Sequence, residues 1–377
     1  MGAIRYPRVH PGEVQLYRVP AETVYVADGF EIAALPTDTA AVSLRLMRDF
    51  PEVEPFDGSL TGTRRNPGHV RSFELTQYGE PLLDGVATTL KGGEWTDPAL
   101  RWENEISIEN TLYHGGVQLE DALATLSVSH KMDEWGIRGE RIQRIDAPQV
   151  LVVDYEPMSA KKVIGGMVRN LRPEYTGDRS YIFCDSNGLL GRFKLWRHLA
   201  APDRRPVTMI RTASTDLRLS DVYTDYSAID REEIVQSGMD ALGQVDPDYT
   251  GLEVASAADI TTYFEEALPY NYGTQLGMLG AHSHWQLFPH PGNILLDGGL
   301  VDLDGIVPQV PRWSFAEKFL LHGCKDALVV LGVNNDEYDT DYDRISRNFH
   351  GGVTQGQRTV NQGLDPAQIS AGGVYTD

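Results

Sequence analysis

The pattern of apolar residues changes once along this chain, and that change constrains the fold more than any other feature. Up to about residue 213 the clearest segments are short, rich in β-branched residues and bounded by Gly, Pro and Asp, as in RSFELTQ and VATTLKG. This pattern is typical of strands joined by turns. From residue 231 the clearest segments carry apolar residues at helical spacing. Strands followed by helices predict an α+β fold, with a β-rich N-lobe and a helical C-lobe around a cleft.

One helix is predicted within the β-rich part. Leu119, Leu123, Leu126 and Trp135 recur at near-helical spacing and Gly136 follows them, which predicts an amphipathic helix over 117–135. The segments predicted to be strands are TVYVA, RSFELTQ, VATTLKG, GERIQRI, QVLVVDY, YIFC and PVTMIRTAS. Further helices are predicted over 231–242, 260–268 and 314–332.

Charge and cysteine content exclude some classes of protein. The 377 residues include 33 Lys and Arg against 54 Asp and Glu, a net charge of -21, so the chain lacks the basic excess that binds nucleic-acid backbones. Cys184 and Cys324 are too few for a disulfide framework. The N-terminus lacks the apolar core of a secretory signal, and no apolar run reaches the roughly 18 residues of a membrane span. We therefore expect a cytoplasmic protein with neither nucleic acid nor membrane as its partner.

The segment PHPGNILLDGGLVDLDG, residues 289–305, carries the clearest chemistry. Asn293 and Asp302 flank two short apolar pieces that are joined by an Asp-Gly-Gly turn. A tight hairpin would bring the amide oxygen and the carboxylate to the same end, where they could share Mg²⁺ with nucleotide phosphates. Asp304 would face the same side as Asp302 if the strand continued. Alternatively, Asn and Asp are simply common residues at hairpin ends, and no metal is involved.

The same segment resembles the catalytic loop and metal-binding strand of protein-kinase-like phosphotransferases. It resembles more closely the selenoprotein O family of kinase-like protein adenylyltransferases, in which the metal-binding Asp follows the metal-binding Asn by nine positions, as Asp302 follows Asn293. TTLKGG is similar to the lysine strand of that family. MIRTASTDLR is similar to its arginine strand and has Arg211 and Arg218 seven residues apart. NPGHVR resembles its nucleotide-binding loop, and residues 114–137 align with its glycine loop and helix without a gap.

The resemblance implies a function and a set of site residues. It implies transfer of AMP from ATP to a hydroxyl group of a protein or small-molecule acceptor, with ATP reversed so that its α-phosphate faces the acceptor. Asn293 and Asp302, with Asp304 as a possible addition, would hold Mg²⁺ or Mn²⁺. The residues that would contact ATP are Lys91, Gly68, Arg71, Gly115, Arg211 and Arg218.

The resemblance also implies boundaries for the domains. The N-lobe would span 1–215 and the helical C-lobe 216–345. Residues 150–206 lengthen the chain relative to the family, and we expect this insertion to shape a dedicated substrate site. Residues 346–377 are rich in Gly, Gln, Asn and Thr, which predicts a loosely held tail.

The chain departs from the family at the general base. The adenylyltransferases have Asp where this chain has Gly292, and kinases have Asp where it has Phe288. His290 is the nearest titratable substitute, because an imidazole can accept a proton near neutral pH; its alternative role is a hydrogen bond that fixes the loop. His282 and His284 are weaker candidates for the base.

A second departure concerns the partner of the lysine. The family's glutamate falls on Thr125, and Glu120 is the alternative partner of Lys91, unless it is an ordinary solvated carboxylate. Two other functions stay open for these reasons. One is a small-molecule kinase or an ATP-dependent ligase that activates a carboxylate and needs no general base. The other is a pseudoenzyme that binds a nucleotide, or none, and acts through protein contacts.

Overall fold

The computed structural model describes residues 13–43, 54–56, 59–63, 72–78, 80–83, 86–92, 117–153, 156–159, 205–223, 231–334 and 340–364. Over these residues the fold is α+β, as predicted. Two compact units are formed, Met1–Ala124 with Ile142–Thr212 and Thr125–Arg141 with Ala213–Asp377. Residues 125–141, part of the predicted N-lobe, thus group with the second unit. None of the described helices is long and apolar enough to cross a bilayer.

The first unit is built on a curled antiparallel sheet. Its described strands are β1 (Glu13–Val26), β2 (Thr39–Ser43), β3 (Glu54–Pro55), β4 (Thr61–Thr63), β5 (Ser72–Gln77), β6 (Glu80–Pro81), β7 (Ala87–Lys91), β8 (Val117–Gln118), β9 (Arg141–Pro148), β10 (Val150–Val153), β11 (Glu156–Ser159) and β12 (Pro206–Ala213). The main order is β2-β1-β4-β5-β7-β12-β8, and the sheet curls because β9 pairs with both β1 and β12. β10 and β11 form a separate hairpin.

The predicted pairing of RSFELTQ with VATTLKG is confirmed. These segments form β5 and β7, in which Phe73 lies opposite Leu90. Leu90 packs with Leu16, Leu75 and Ile210, contributed by β1, β5 and β12, in the apolar core of this unit. The alternation of side chains along each strand buries one face of the sheet in this core. The predicted strand YIFC lies outside the described residues.

A buried ion pair anchors the loop that follows β1. The Nε atom of Arg144 lies 2.7 Å from Oδ2 of Asp146, and both side chains are buried. The guanidinium group of Arg144 also donates to the carbonyl oxygens of Leu35, Pro36 and Thr39. Burial raises the pKa of Asp146, and the hydrogen bond from Arg144 opposes that rise. One cation therefore satisfies both a buried carboxylate and the backbone of the loop.

The second unit is mainly helical. Its described helices are α1 (Leu119–Glu134, of which residues 125–134 belong to this unit), α2 (Leu219–Tyr223), α3 (Arg231–Val245), α4 (Ala257–Thr262), α5 (Leu268–Ala281), α6 (Trp313–Val330) and α7 (Tyr342–Gln362). A π-helical turn, Tyr263–Ala267, joins α4 to α5. Short strands β13 (His284–Gln286) and β14 (Ile306–Pro308) pair antiparallel. The four predicted helices are confirmed, and Gly136 ends α1 with a φ of 66°.

The prediction of a loosely held tail is wrong for residues 346–362, which form most of α7. A Cβ atom added to Gly352 would lie 2.1 Å from the carbonyl oxygen of Tyr270, and one added to Gly356 would lie 2.2 Å from that of Thr274. The glycines of α7 thus allow its backbone to touch that of α5. The glycine-rich composition, which is also typical of disordered segments, here allows close packing of two helices. Residues 365–377 lie outside the described residues.

Candidate functional site

The predicted hairpin around Asp297 is present in the second unit. Ile294 forms an antiparallel bridge with Leu300, and the amide of Leu295 donates to the carbonyl of Gly299 at 3.0 Å. Ile294 and Leu300 are fully buried in the core of this unit. Because its apolar side chains are fixed in the core, the hairpin is a firm base for the polar residues at its ends.

Backbone segments from elsewhere in the sequence flank both sides of the hairpin. On one side Arg218 bridges Leu295, and the amide of Leu219 donates to the carbonyl of Ile294 at 2.9 Å. On the other side Gly139 bridges Leu300 in parallel. A Cβ atom on Gly139 would lie 2.4 Å from the carbonyl oxygen of Leu300, so the close approach requires glycine.

Arg218 links the two predicted metal ligands. Its Nη1 atom donates to the carbonyl oxygen of Gly292 at 2.6 Å and lies 3.6 Å from Oδ2 of Asp302. Gly292 directly precedes Asn293, so one guanidinium group contacts both ends of the hairpin. Arg218 therefore contacts Asp302 and the residue that precedes Asn293. That Asn293 and Asp302 share one ion stays a prediction.

Asn293 has a buried oxygen atom that accepts no hydrogen bond from the described residues. The side chain is 4% exposed, and its Nδ2 atom donates to the carbonyl oxygen of Phe288 at 2.9 Å. This bond fixes the amide orientation, while Oδ1 is buried and has no hydrogen-bond partner within the part of the chain that the structure describes. An unsatisfied buried acceptor costs about 1–3 kcal/mol. Amide oxygens are suitable ligands for hard cations, so Asn293 with the Asp302 carboxylate fits a magnesium ion whose other ligands are phosphate oxygens and water.

Asp302 adopts a backbone conformation that is uncommon outside glycine, with a φ of 56° and a ψ of 61°. The carboxylate of Glu140 accepts hydrogen bonds from the amide of Asp302 at 3.1 Å and from the amide of Leu303 at 3.5 Å. Left-handed backbone costs about 1–2 kcal/mol for an L-residue. Such strain often occurs at functional positions.

Asp304 does not follow Asp302 along an extended strand, which was the condition for the two residues to face one side. The chain turns at Asp302 and continues as a 3₁₀ turn over Leu303–Gly305. Alternation along a strand therefore does not apply to these two residues. The side chain of Asp304 lies outside what the structure describes, and its role as a metal ligand stays a prediction.

His290 forms the loop-fixing bond that was its alternative role. Its Nδ1 atom accepts a hydrogen bond from the amide of Gly292 at 3.1 Å and caps the 3₁₀ turn Pro291–Asn293. In the neutral ring this leaves the proton on Nε2, so the ring would have to change tautomer to act as a base through Nε2. Its role as a base stays a prediction.

Lys91 and Arg211 belong to the first unit, on the neighbouring strands β7 and β12. The preceding residue in each strand, Leu90 or Ile210, points into the core of that unit. Because side chains alternate, Lys91 and Arg211 share the opposite face of the sheet. Arg211 is buried and Lys91 is partly exposed.

The structure does not describe every predicted site residue. Gly68, Arg71 and Gly115 lie outside the described residues, as does most of the proposed insertion, residues 160–204. Glu120 is exposed on α1, and Thr125 is buried.

Two carboxylates close to the hairpin were not predicted to act there. Glu140 lies in the short connection between α1 and β9, and Asp297 is fully buried in the hairpin turn. The hydroxyl of Ser214 donates to Asp297 Oδ2, and the amide of Gly299 donates to its Oδ1 at 2.8 Å. Asp297 was visible in the sequence only as a turn residue, and nothing local to Glu140 connects it with a segment 160 residues later.

Across the part of the chain that the structure describes, no group of three or more His, Cys, Asp or Glu side chains is arranged to hold a metal ion. A single carboxylate with an amide oxygen instead suits an ion that arrives with phosphates. No protein-family model and no curated protein matches this sequence. Function must therefore be inferred from the residues themselves.

Proposed function

We propose that this protein is an ATP- and Mg²⁺-dependent transferase of the selenoprotein O type, which moves AMP from ATP to a hydroxyl group of a protein or small-molecule acceptor. The observation that carries the proposal is the buried oxygen of Asn293, which accepts no hydrogen bond from any residue that the structure describes and belongs to a loop that Arg218 links to Asp302. A buried polar atom without a hydrogen bond calls for an explanation, and a bound cation supplies one.

The charges of the described residues support a triphosphate as the ligand. Asn293 and Asp302 would hold Mg²⁺ or Mn²⁺, which supplies neutralisation of phosphate charge in the transition state. Arg218 would bind phosphate oxygens beside Asp302, and the resemblance implies the same role for Lys91 and Arg211. Planar guanidinium groups bind phosphate oxygens in pairs. In the reaction the acceptor oxygen forms a bond to the α-phosphorus, the bond to pyrophosphate breaks, and the hydroxyl proton passes to His290 or to water.

The first unit supports the finer assignment to a protein-kinase-like, two-lobed fold. The lysine strand β7 lies between β5 and the arginine strand β12 in the antiparallel sheet. Lys91 and Arg211 share the sheet face opposite the apolar core. This agrees with the strand roles that the resemblance implies.

A thermal-shift experiment tests the cation site. A ligand at one hundred times its Kd stabilises the native state by about 2.7 kcal/mol, so ATP with MgCl₂ should raise the melting temperature of the wild type. Asp302→Asn should abolish that shift, because the amide cannot supply the charge that the ion needs. Asp240→Asn is the matched control, since Asp240 is an exposed residue of α3 that bonds Gln236. An equal shift in wild type and Asp302→Asn would contradict the metal assignment.

The missing general base favours a second candidate. Position 288 holds an aromatic ring that is 62% exposed, and position 292 holds glycine. A ligase that activates a carboxylate on ATP needs no base at either position. Mass spectrometry after incubation with ATP and candidate acceptors separates the reactions, because AMP transfer, phosphate transfer and amide formation give different mass changes. Binding of ATP without any product would favour the pseudoenzyme.

A further inference from the structure

Glu140 binds the hairpin through both its backbone and its side chain. Its amide donates to the carbonyl oxygen of Leu300 at 3.0 Å. Its Oε1 atom accepts from the amides of Asp302 and Leu303. The residue is 3% exposed, so these bonds are shielded from water and contribute more than surface bonds would.

Glu140 bonds to the backbone at Asp302, where the conformation is strained. Asp302 has left-handed backbone, which an L-residue adopts at a cost unless neighbouring groups hold it. Two amide groups, of Asp302 and of Leu303, donate to a single carboxylate at this turn. Hydrogen bonds to a charged acceptor are stronger than those to a neutral one, so these two bonds offset the backbone cost.

The side chain of Asp302 depends on this backbone. Rotation out of the left-handed region would redirect the carboxylate away from Arg218, which lies 3.6 Å from it. Oε1 of Glu140 accepts from both amides, so these two hydrogen bonds act on the backbone at Asp302.

We propose that Glu140 is a positioning residue that holds Asp302 in the conformation in which it binds the divalent cation. The inference rests on the proposed function, because it assumes that Asp302 is a metal ligand. Residues that orient a metal ligand in this way change metal affinity by about 10–100-fold when they are removed.

The test compares Glu140→Ala and Glu140→Gln in the full-length protein. Glutamine keeps an oxygen that can accept both amide hydrogens, whereas alanine removes it. The control is Ile137→Val, which removes one methyl group from a fully buried residue three positions earlier and leaves the carboxylate in place. Two quantities are measured, namely the hydrogen exchange of the amides of Asp302 and Leu303 without ligand, and the affinity for Mn²⁺ in the presence of a non-hydrolysable ATP analogue.

We expect Glu140→Ala to speed exchange at both amides about 10-fold or more and to weaken Mn²⁺ binding by at least about 10-fold. Glu140→Gln should restore slow exchange and most of the Mn²⁺ affinity. Ile137→Val should leave the amide exchange and the Mn²⁺ affinity near wild type, even if it lowers the melting temperature as much as Glu140→Ala does. Unchanged exchange in Glu140→Ala, or equal loss of affinity in Ile137→Val, would overturn the positioning role.

The two proposals fail separately in this design. If the wild type binds no Mn²⁺ with the analogue, the proposed function is overturned, and with it the role of Glu140 towards a metal. The exchange measurement needs no ligand, so it still decides whether Glu140 holds the backbone of Asp302.

Discussion

A methyl group added at Gly352 tests how closely α5 and α7 pack. The Cβ atom of Gly352→Ala would lie 2.1 Å from the carbonyl oxygen of Tyr270 and 2.9 Å from the amide nitrogen of Thr274. Both are backbone atoms, so no change of rotamer relieves the clash. The two helices would have to separate by about 1 Å or more to reach the roughly 3.5 Å of an ordinary contact.

The expected loss can be worked out from two opposing effects. Alanine is favoured over glycine in a helix by about 1 kcal/mol. Overpacking a close contact costs about 1–3 kcal/mol, and more where the structure cannot yield. Because the helices meet again at Gly356, Gly273 and Gly277, separation would also open contacts along the pair, and we expect a net loss of about 2 kcal/mol.

Gly351→Ala is a matched control in the neighbouring position. Its Cβ atom would meet nothing closer than the ring of Tyr270 at 3.9 Å, so it should gain up to about 1 kcal/mol from helix propensity alone. Urea unfolding followed by tryptophan fluorescence measures both variants, since Trp285 is buried in the core of this unit. If Gly352→Ala were as stable as Gly351→Ala, the close packing of the two helices would be refuted.

Two further predictions concern buried and partly buried charge. Arg144→Met should destabilise the protein by about 3–5 kcal/mol in urea unfolding, because Asp146 is left buried without its cation; adding Asp146→Asn should recover part of the loss, and no recovery would argue against the ion pair. Burial and the neighbouring His284 lower the pKa of His282, so the unfolded chain takes up the proton first and stability should fall as the pH drops below about 6.5. His282→Gln should reduce that slope between pH 7 and 5, and an unchanged slope would mean that other groups cause it.

Local patterns predicted the secondary structure well. The β5 and β7 strands and helix α1 follow from side-chain alternation and helical spacing, which are properties of a few neighbouring residues. The prediction of a loosely held tail failed because composition alone cannot separate two uses of glycine. One glycine makes the chain flexible, and another allows close contact with a second backbone. Gly352 and Gly356 are four residues apart, and so are Gly273 and Gly277, and this matching spacing was the available signal.

The candidate site was predictable where its residues are close in sequence. Asn293 and Asp302 lie on either side of one hairpin, and Arg218 contacts both Gly292 and Asp302, so their spacing was informative. The turn at Asp302 could not be predicted, because its left-handed conformation depends on Glu140, which lies 162 positions earlier. Sequence alone offers no rule for such a contact, and for the same reason it could not show that the extended backbone ends at Asp302, before Asp304.

The flanking of the hairpin has a consequence for folding. The segment from Ile294 to Leu300 pairs with backbone near residues 139 and 218, which are distant in sequence. Contacts between distant parts of a chain form late in folding. The hairpin should therefore be among the last parts of this unit to assemble. Because Ile294 and Leu300 are fully buried in the core, it should then open only when the helices around it unfold as well.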